Sequence, residues 1–194
     1  GRAGRFQPSR GITGGGGIYC TGSPILENNT IVENSTDADG GGIYCSSGGT
    51  LRNAVVSASG GAQLVFGSGT LDGVTVNGDL DLTGSSANAT VLNGLVLNGT
   101  AYLGSQTNNN YGALNFSGSQ TLGGNGTVVF GFYGDSRFNA LRLVTGGTTL
   151  TIGSGLTVRG KNGTIGYSPV YGGPQNVGVT NQGTILADVN GGSI

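Results

Sequence analysis

TLDGVTVNGDLDLTG (residues 70–84) is answered one repeat later by VLNGLVLNGTAYLGS (91–105). Val74 and Val76 fall on Leu95 and Leu97, and Leu80 and Leu82 fall on Ala101 and Leu103. Asp72-Gly73 falls on Asn93-Gly94, and Asn77-Gly78 on Asn98-Gly99. The unit is a turn, two apolar residues at i and i+2, an Asn-Gly turn, and two more apolar residues at i and i+2. Period-2 alternation over a few residues means a short strand with one buried face. Gly and Asn supply the positive φ that a sharp corner between such strands requires.

The same frame extends in both directions. A looser copy returns at Leu150, Ile152, Leu156 and Val158, and single pairs lie between: Leu114 with Phe116, Val128 with Phe130, Leu141 with Leu143. The last stretch, VTNQGTILADVNGGSI, carries Val179, Ile185, Leu186 and Val189 split by Asn and Gly. Towards the N-terminus, GGGIYC occurs at 15–20 and at 40–45, each copy ending in one of the 2 cysteines. No stretch places apolar residues at i, i+3, i+4 and i+7 over helical length. A repeat of about 20–25 residues made of short strands predicts an all-β, single-stranded parallel β-helix with almost no helix. Roughly nine coils follow from the length, hence a rod about 40 Å long. Residues 1–10, with Arg2, Arg5 and Arg10 around Pro8, read as a basic arm. Residues 11–194 read as one continuous solenoid, with GGGIYC-type coils over 11–69 and Asn-Gly-type coils over 70–194.

The composition suits that architecture. Gly makes up 43 of the 194 residues, charged residues only 9%, and the net charge is −1. Disorder would pair low hydrophobicity with high net charge, and collagen would need a Gly-X-Y period. In a stack of coils each outward position repeats as a column, where like charges repel and neutral polar residues fit better. Asn at one corner of successive coils can hydrogen-bond along the stack. A near-neutral chain is a poor partner for nucleic acid or an anionic membrane surface. No apolar run reaches the ~18 residues of a membrane span. The lack of an initiator Met and of capping sequence points to an excerpt of a longer chain or to a subunit that stacks.

The block over 14–58, GGGIYC…ILENNTIVENS…GGGIYC, resembles the right-handed parallel β-helix repeats of large bacterial surface and secreted proteins. The 70–194 block resembles the Asn-Gly-rich repeats of filamentous-haemagglutinin-like and autotransporter-like adhesin passengers, TNQGTILADVNGG (180–192) most closely. The resemblance implies an elongated, right-handed, extracellular or cell-surface repeat protein, and it supplies no ligand.

Parallel β-helices also carry polysaccharide-degrading sites, which need clustered carboxylates. The acidic residues here are scattered over Glu27, Glu33, Asp37, Asp39, Asp72, Asp79, Asp81, Asp135 and Asp188, and there is no His. Asp79 and Asp81 should face Thr100 and Tyr102 one coil later, so no carboxylate column forms. DADGGG (37–42) offers two carboxylates where Ca²⁺ wants six to eight oxygens, and reads as an Asx-type turn. GGGG (14–17) lacks the Lys-Ser/Thr of a phosphate loop. Glycosylation sequons begin at Asn28, Asn34, Asn88, Asn98, Asn115, Asn125 and Asn162, as composition alone would produce. An ice-binding face would need a Thr-x-Thr column, and Thr149-Leu150-Thr151 stands as an isolated instance. No catalytic, cofactor or metal residue is therefore assigned.

Two functions remain. The first is a non-enzymatic structural or adhesive solenoid whose open ends meet other copies or neighbouring repeats of a longer chain. The second is a carbohydrate-binding or polysaccharide-degrading β-helix, in which Tyr19, Tyr44 and Tyr102 would stack on surface glycans; ordinary ladder packing explains those tyrosines equally. Within GGGIYC, Ile18 and Ile43 should stack inward with Cys20 and Cys45, and the tyrosines outward. Stacked Cα atoms about 4.8 Å apart fall inside the disulfide range. Parallel Cβ vectors, however, hold the Cβ atoms slightly beyond the usual ~3.5–4.5 Å. An oxidising setting favours the bond, and ladder geometry favours two buried thiols, which is the expectation.

Overall fold

In a computed structural model the chain is all-β, with parallel strands and no helix among the described residues. The structure describes residues 18–20, 22–28, 30–34, 43–45, 48–58 and 62–194. The basic arm and the DADGGG and GGGG runs lie outside them.

Each coil lays strands on three faces. The first face stacks eight strands: Ile18–Cys20, Ile43–Cys45, Gln63–Phe66, Asp79–Leu82, Thr100–Leu103, Thr127–Phe130, Thr157–Gly160 and Thr184–Ala187. The other two faces form one sheet, because two of its strands are long and bend around the corner between them. Ser68–Val76 and Ala87–Leu97 each serve both faces, whereas later coils use separate strands such as Gly112–Phe116 and Gln120–Gly123. Neither sheet closes on itself.

The register follows the apolar pairs. Val74 and Val76 pair with Leu95 and Leu97, and Leu80 and Leu82 with Ala101 and Leu103. Each of these eight side chains is at most 1% exposed. Ile18, Ile43, Leu64, Leu80, Ala101, Val128, Val158 and Ile185 form one inward column down the first face. Fully burying a Val or Leu is worth about 1.5–3 kcal/mol, so a one-residue slip of any rung would forfeit several kcal/mol.

Coil length is less regular than the sequence suggests. Along that column the step is shortest from Leu64 to Leu80 and longest from Val128 to Val158. The late coils are long because loops such as 104–111 and 167–177 are inserted between strands. Eight rungs form on the first face among the described residues, and they span about 34 Å at the usual inter-strand spacing. The shift that superposes the two repeats also fails locally. Asp72 pairs with Leu92, and the register then slips, so that Asn93 (φ 55°) and Gly94 (φ 85°) together oppose Gly73 (φ 62°).

The corners explain the Asn and Gly. Asn77 Nδ2 donates to Ser57 Oγ (3.0 Å), Asn98 Nδ2 to Asn77 Oδ1 (2.8 Å), and the Asn125 backbone N–H to Asn98 Oδ1 (3.2 Å). Corner Asn side chains thus hydrogen-bond along the stack, as expected. Charge behaves differently from the neutral columns anticipated. Glu27, Arg52 and Asp72 stand in register, alternating in sign. Arg52 Nε donates to Asp72 Oδ2 at 2.9 Å and Arg52 lies 3.9 Å from Glu27. Column stacking penalises like charges and rewards this alternation.

For GGGIYC, Ile18, Tyr19 and Cys20 pair with Ile43, Tyr44 and Cys45. Ile43 and Cys45 are buried at 1% exposure and Tyr44 faces out at 38%. The side chains of Tyr19 and Cys20 lie outside the described set, and the thiol expectation with them.

Candidate functional site

Among the described residues the carboxylates form no cluster. Asp79 and Asp81 point out from one strand; Asp81 pairs with Tyr102, and Asp79 Oδ1 accepts the Thr100 amide at 2.9 Å. Asp135 and Asp188 are each bound to an arginine, Arg137 and Arg159. Hydrogen bonds from Arg137 hold the Asp135 carboxyl down at about 2. A hydrogen bond from Asn93 (2.6 Å), acting against burial and helped by Arg52, lowers that of Asp72. No group of three or more metal-ligating side chains gathers among the described residues. No helix there is long and apolar enough to cross a membrane.

Threonine is more ordered than the sequence suggests. Thr151 is not isolated but stacks between Thr121 and Thr180, and Thr100, Thr127, Thr157 and Thr184 form a column four deep on the first face. The outward column beside those four is Tyr102, Val129, Arg159 and Leu186, so no flat Thr-x-Thr surface results.

Two surface features remain. The first is the last rung. Val158 is fully buried, but Ile185, next in the same inward column, is 36% exposed; Leu186 and Val179 beside it are 46% and 41% exposed. Thr184–Ala187 pairs only with Thr157–Gly160, so its other edge carries unpaired backbone groups among the described residues.

The second is a cleft of about 340 Å³ on the second face, walled by the rings of Tyr111 and Tyr171 and floored by Thr90, Asn115 and Arg142. Thr90, Asn115 and Arg142 are successive rungs of one outward column. The long loops of the late coils bring Tyr111, Tyr133, Phe138 and Tyr171 into an edge-on cluster, with centroids 4.7 to 6.4 Å apart. Their hydroxyls anchor the walls: Tyr171 Oη donates to the Phe138 carbonyl and Ser86 Oγ to Tyr111 Oη, both at 2.8 Å. Burial pushes the Tyr171 phenol up to about 12, so it stays neutral. The Arg142 guanidinium lies 4.8 Å from the Tyr171 ring centre, and burial lowers its pKa.

Sequence patterning points to Tyr44 and Tyr102 on the first face. It passes over Tyr111 and Tyr171, which stand in irregular loops where period-2 alternation says nothing. A hint lies in the aromatic clustering at 130–138 and 167–171 within an otherwise aromatic-poor chain.

With this geometry the class is a parallel β-solenoid bearing an aromatic-walled cationic cleft. Comparison with models of protein families, with curated proteins and with solved structures finds no match to this chain.

Proposed function

We propose that this chain is a non-enzymatic structural and adhesive solenoid segment of an extracellular or cell-surface bacterial protein. Its last rung would be continued head to tail by another solenoid coil, from a second copy or from further repeats. The observation that carries the reading is the apolar last rung, where Ile185 stands partly exposed at the end of a column buried from Ile43 to Val158. Another coil placed there would bury Ile185 and pair the free strand edge, which is both an aggregation hazard and an assembly device. Repeating one such contact with a fixed rotation and rise gives a filament. What weighs against catalysis is the placement of the carboxylates, with Asp72, Asp135 and Asp188 each held by an arginine.

Electron microscopy and sedimentation of the purified protein over a range of concentrations test the stacking. The expected outcome is rods that lengthen with concentration and that Ile185→Lys shortens to single units. Short, monodisperse particles at every concentration, with Ile185→Lys behaving as wild type, refute it.

A further inference from the structure

Four arginines lie among the described residues, and three of them pair with a carboxylate: Arg52 with Asp72, Arg137 with Asp135, Arg159 with Asp188. Arg142 does not. Its Nε is the one buried side-chain nitrogen or oxygen among the described residues without a hydrogen-bond partner. A sealed guanidinium nitrogen with nothing to donate to is costly, and so is a partly desolvated charge without a counterion. The Tyr171 ring offsets a part of that cost through its π face, but a ring accepts no directed hydrogen bond in the plane of the fork.

From this we infer that the Tyr111–Arg142–Tyr171 cleft is a binding site for an acidic saccharide, the acid group seated on Arg142. Three features select that ligand. The two Nη groups of Arg142, which unlike its Nε are not sealed, can meet a planar or tetrahedral oxyanion end-on in a bidentate manner. Beside it, one and two rungs down the same column, Asn115 and Thr90 present an amide and a hydroxyl suited to ring hydroxyls. The Tyr111 and Tyr171 rings, edge-on to each other at 63° with centroids 6.4 Å apart, line the cleft and offer apolar contact to a sugar ring. Their hydroxyls are already engaged, so the walls are fixed in advance and little ordering entropy opposes binding. The floor is the face of a sheet whose backbone groups are paired in-plane, so an extended peptide gains no strand pairing there. That disfavours a phosphopeptide, the other ligand with an anion to offer. The inference does not rest on head-to-tail stacking, because the cleft is complete within one chain.

The chain has 7 Tyr and no Trp; Tyr111 and Tyr171 line the cleft, so a change in tyrosine fluorescence that Arg142→Gln abolishes follows binding there. The probes are an oligogalacturonate, its fully methyl-esterified form, a sulfated oligosaccharide of equal length, and a phosphopeptide. Saturable binding of the oligogalacturonate, the sulfated oligosaccharide, or both is expected; the arm that binds assigns carboxylate or sulfate. Where the oligogalacturonate binds, its ester should bind at least tenfold more weakly, and affinity for either acid should fall as salt is raised. Arg142→Gln should weaken acid binding at least tenfold, Arg142→Lys should fall between it and wild type, and Arg159→Gln should change nothing. Circular dichroism confirms that each variant is folded. Saturable binding of ester and acid with equal affinity, an Arg142→Gln protein that binds like wild type, phosphopeptide binding in place of the saccharides, or no saccharide binding at millimolar concentration each overturn the inference.

Discussion

Gly131→Ala isolates what the coil spacing demands of one residue. Gly131 follows the Thr127–Phe130 strand and has no left-handed φ, so the substitution adds no backbone strain of its own. A Cβ there would lie 2.5 Å from the Ser105 carbonyl oxygen, 2.6 Å from the Gly104 carbonyl carbon and 2.7 Å from its oxygen. All three belong to the backbone of the coil below, not to a side chain that can swing away. Ordinary contact begins near 3.4 Å, so the coils must separate locally by a large fraction of an ångström. Two inter-coil hydrogen bonds cross this point, Gly131 N to Leu103 O at 2.9 Å and Phe132 N to Ser105 O at 2.8 Å, and both would stretch towards breaking. Overpacking costs about 1–3 kcal/mol, and each weakened bond adds about 0.5–1.5 kcal/mol. A loss of about 3 kcal/mol is expected on those two grounds. With an m-value near the upper end of the usual urea range, this lowers the midpoint by about 1 M. Gly134→Ala is the control, since its Cβ meets nothing within 4 Å and its φ is ordinary; it should stay within about 0.5 kcal/mol of wild type. Urea titrations followed by circular dichroism compare the two. If Gly131→Ala unfolds at the same midpoint as Gly134→Ala, close coil contact is not what holds a glycine there.

Two further outcomes follow from the corners. Asn98→Ala removes the centre of the Asn ladder, which donates to Asn77 and accepts from Asn125; both bonds are exposed, so a urea midpoint loss equivalent to about 1 kcal/mol is expected, and no loss would mean the ladder is ornamental to stability. The folded Asp72 carboxyl titrates below its ordinary 3.8, chiefly through Asn93. Its contribution is therefore full only well above that ordinary value and is lost as pH falls through the folded value. Asp72→Asn should flatten that part of the acid-unfolding profile, and an unchanged slope below about pH 5 would refute it.

How much was legible can be judged at particular residues. The first face was readable because nearly every rung there is an i, i+2 apolar pair, and alternation is the one signal a short strand writes locally. Leu80 with Leu82 on Ala101 with Leu103 is the clearest case. The Asn98–Asn77 contact was legible for the same reason, because a repeated corner must fall on itself. Glu27, Arg52 and Asp72 were not, since the step from Glu27 to Arg52 differs from the step from Arg52 to Asp72. They come into line only once the length of each coil is known.

The sequence by itself thus determined the rungs: which residues are strands, which side of each strand faces inward, and that corners need Asn or Gly. Backbone stereochemistry and the period of two act within a few residues, so they are written locally. The tertiary structure decided how many coils form and what their surfaces hold. Loop length is free wherever a loop runs outside the stack. It varies enough here to make the coil from Val128 to Val158 nearly twice as long as that from Leu64 to Leu80. Tyr111, Arg142 and Tyr171 are each separated by about one such long coil of chain. Only the register of successive coils, each set by its own buried pairs, brings them to the walls and floor of one cleft.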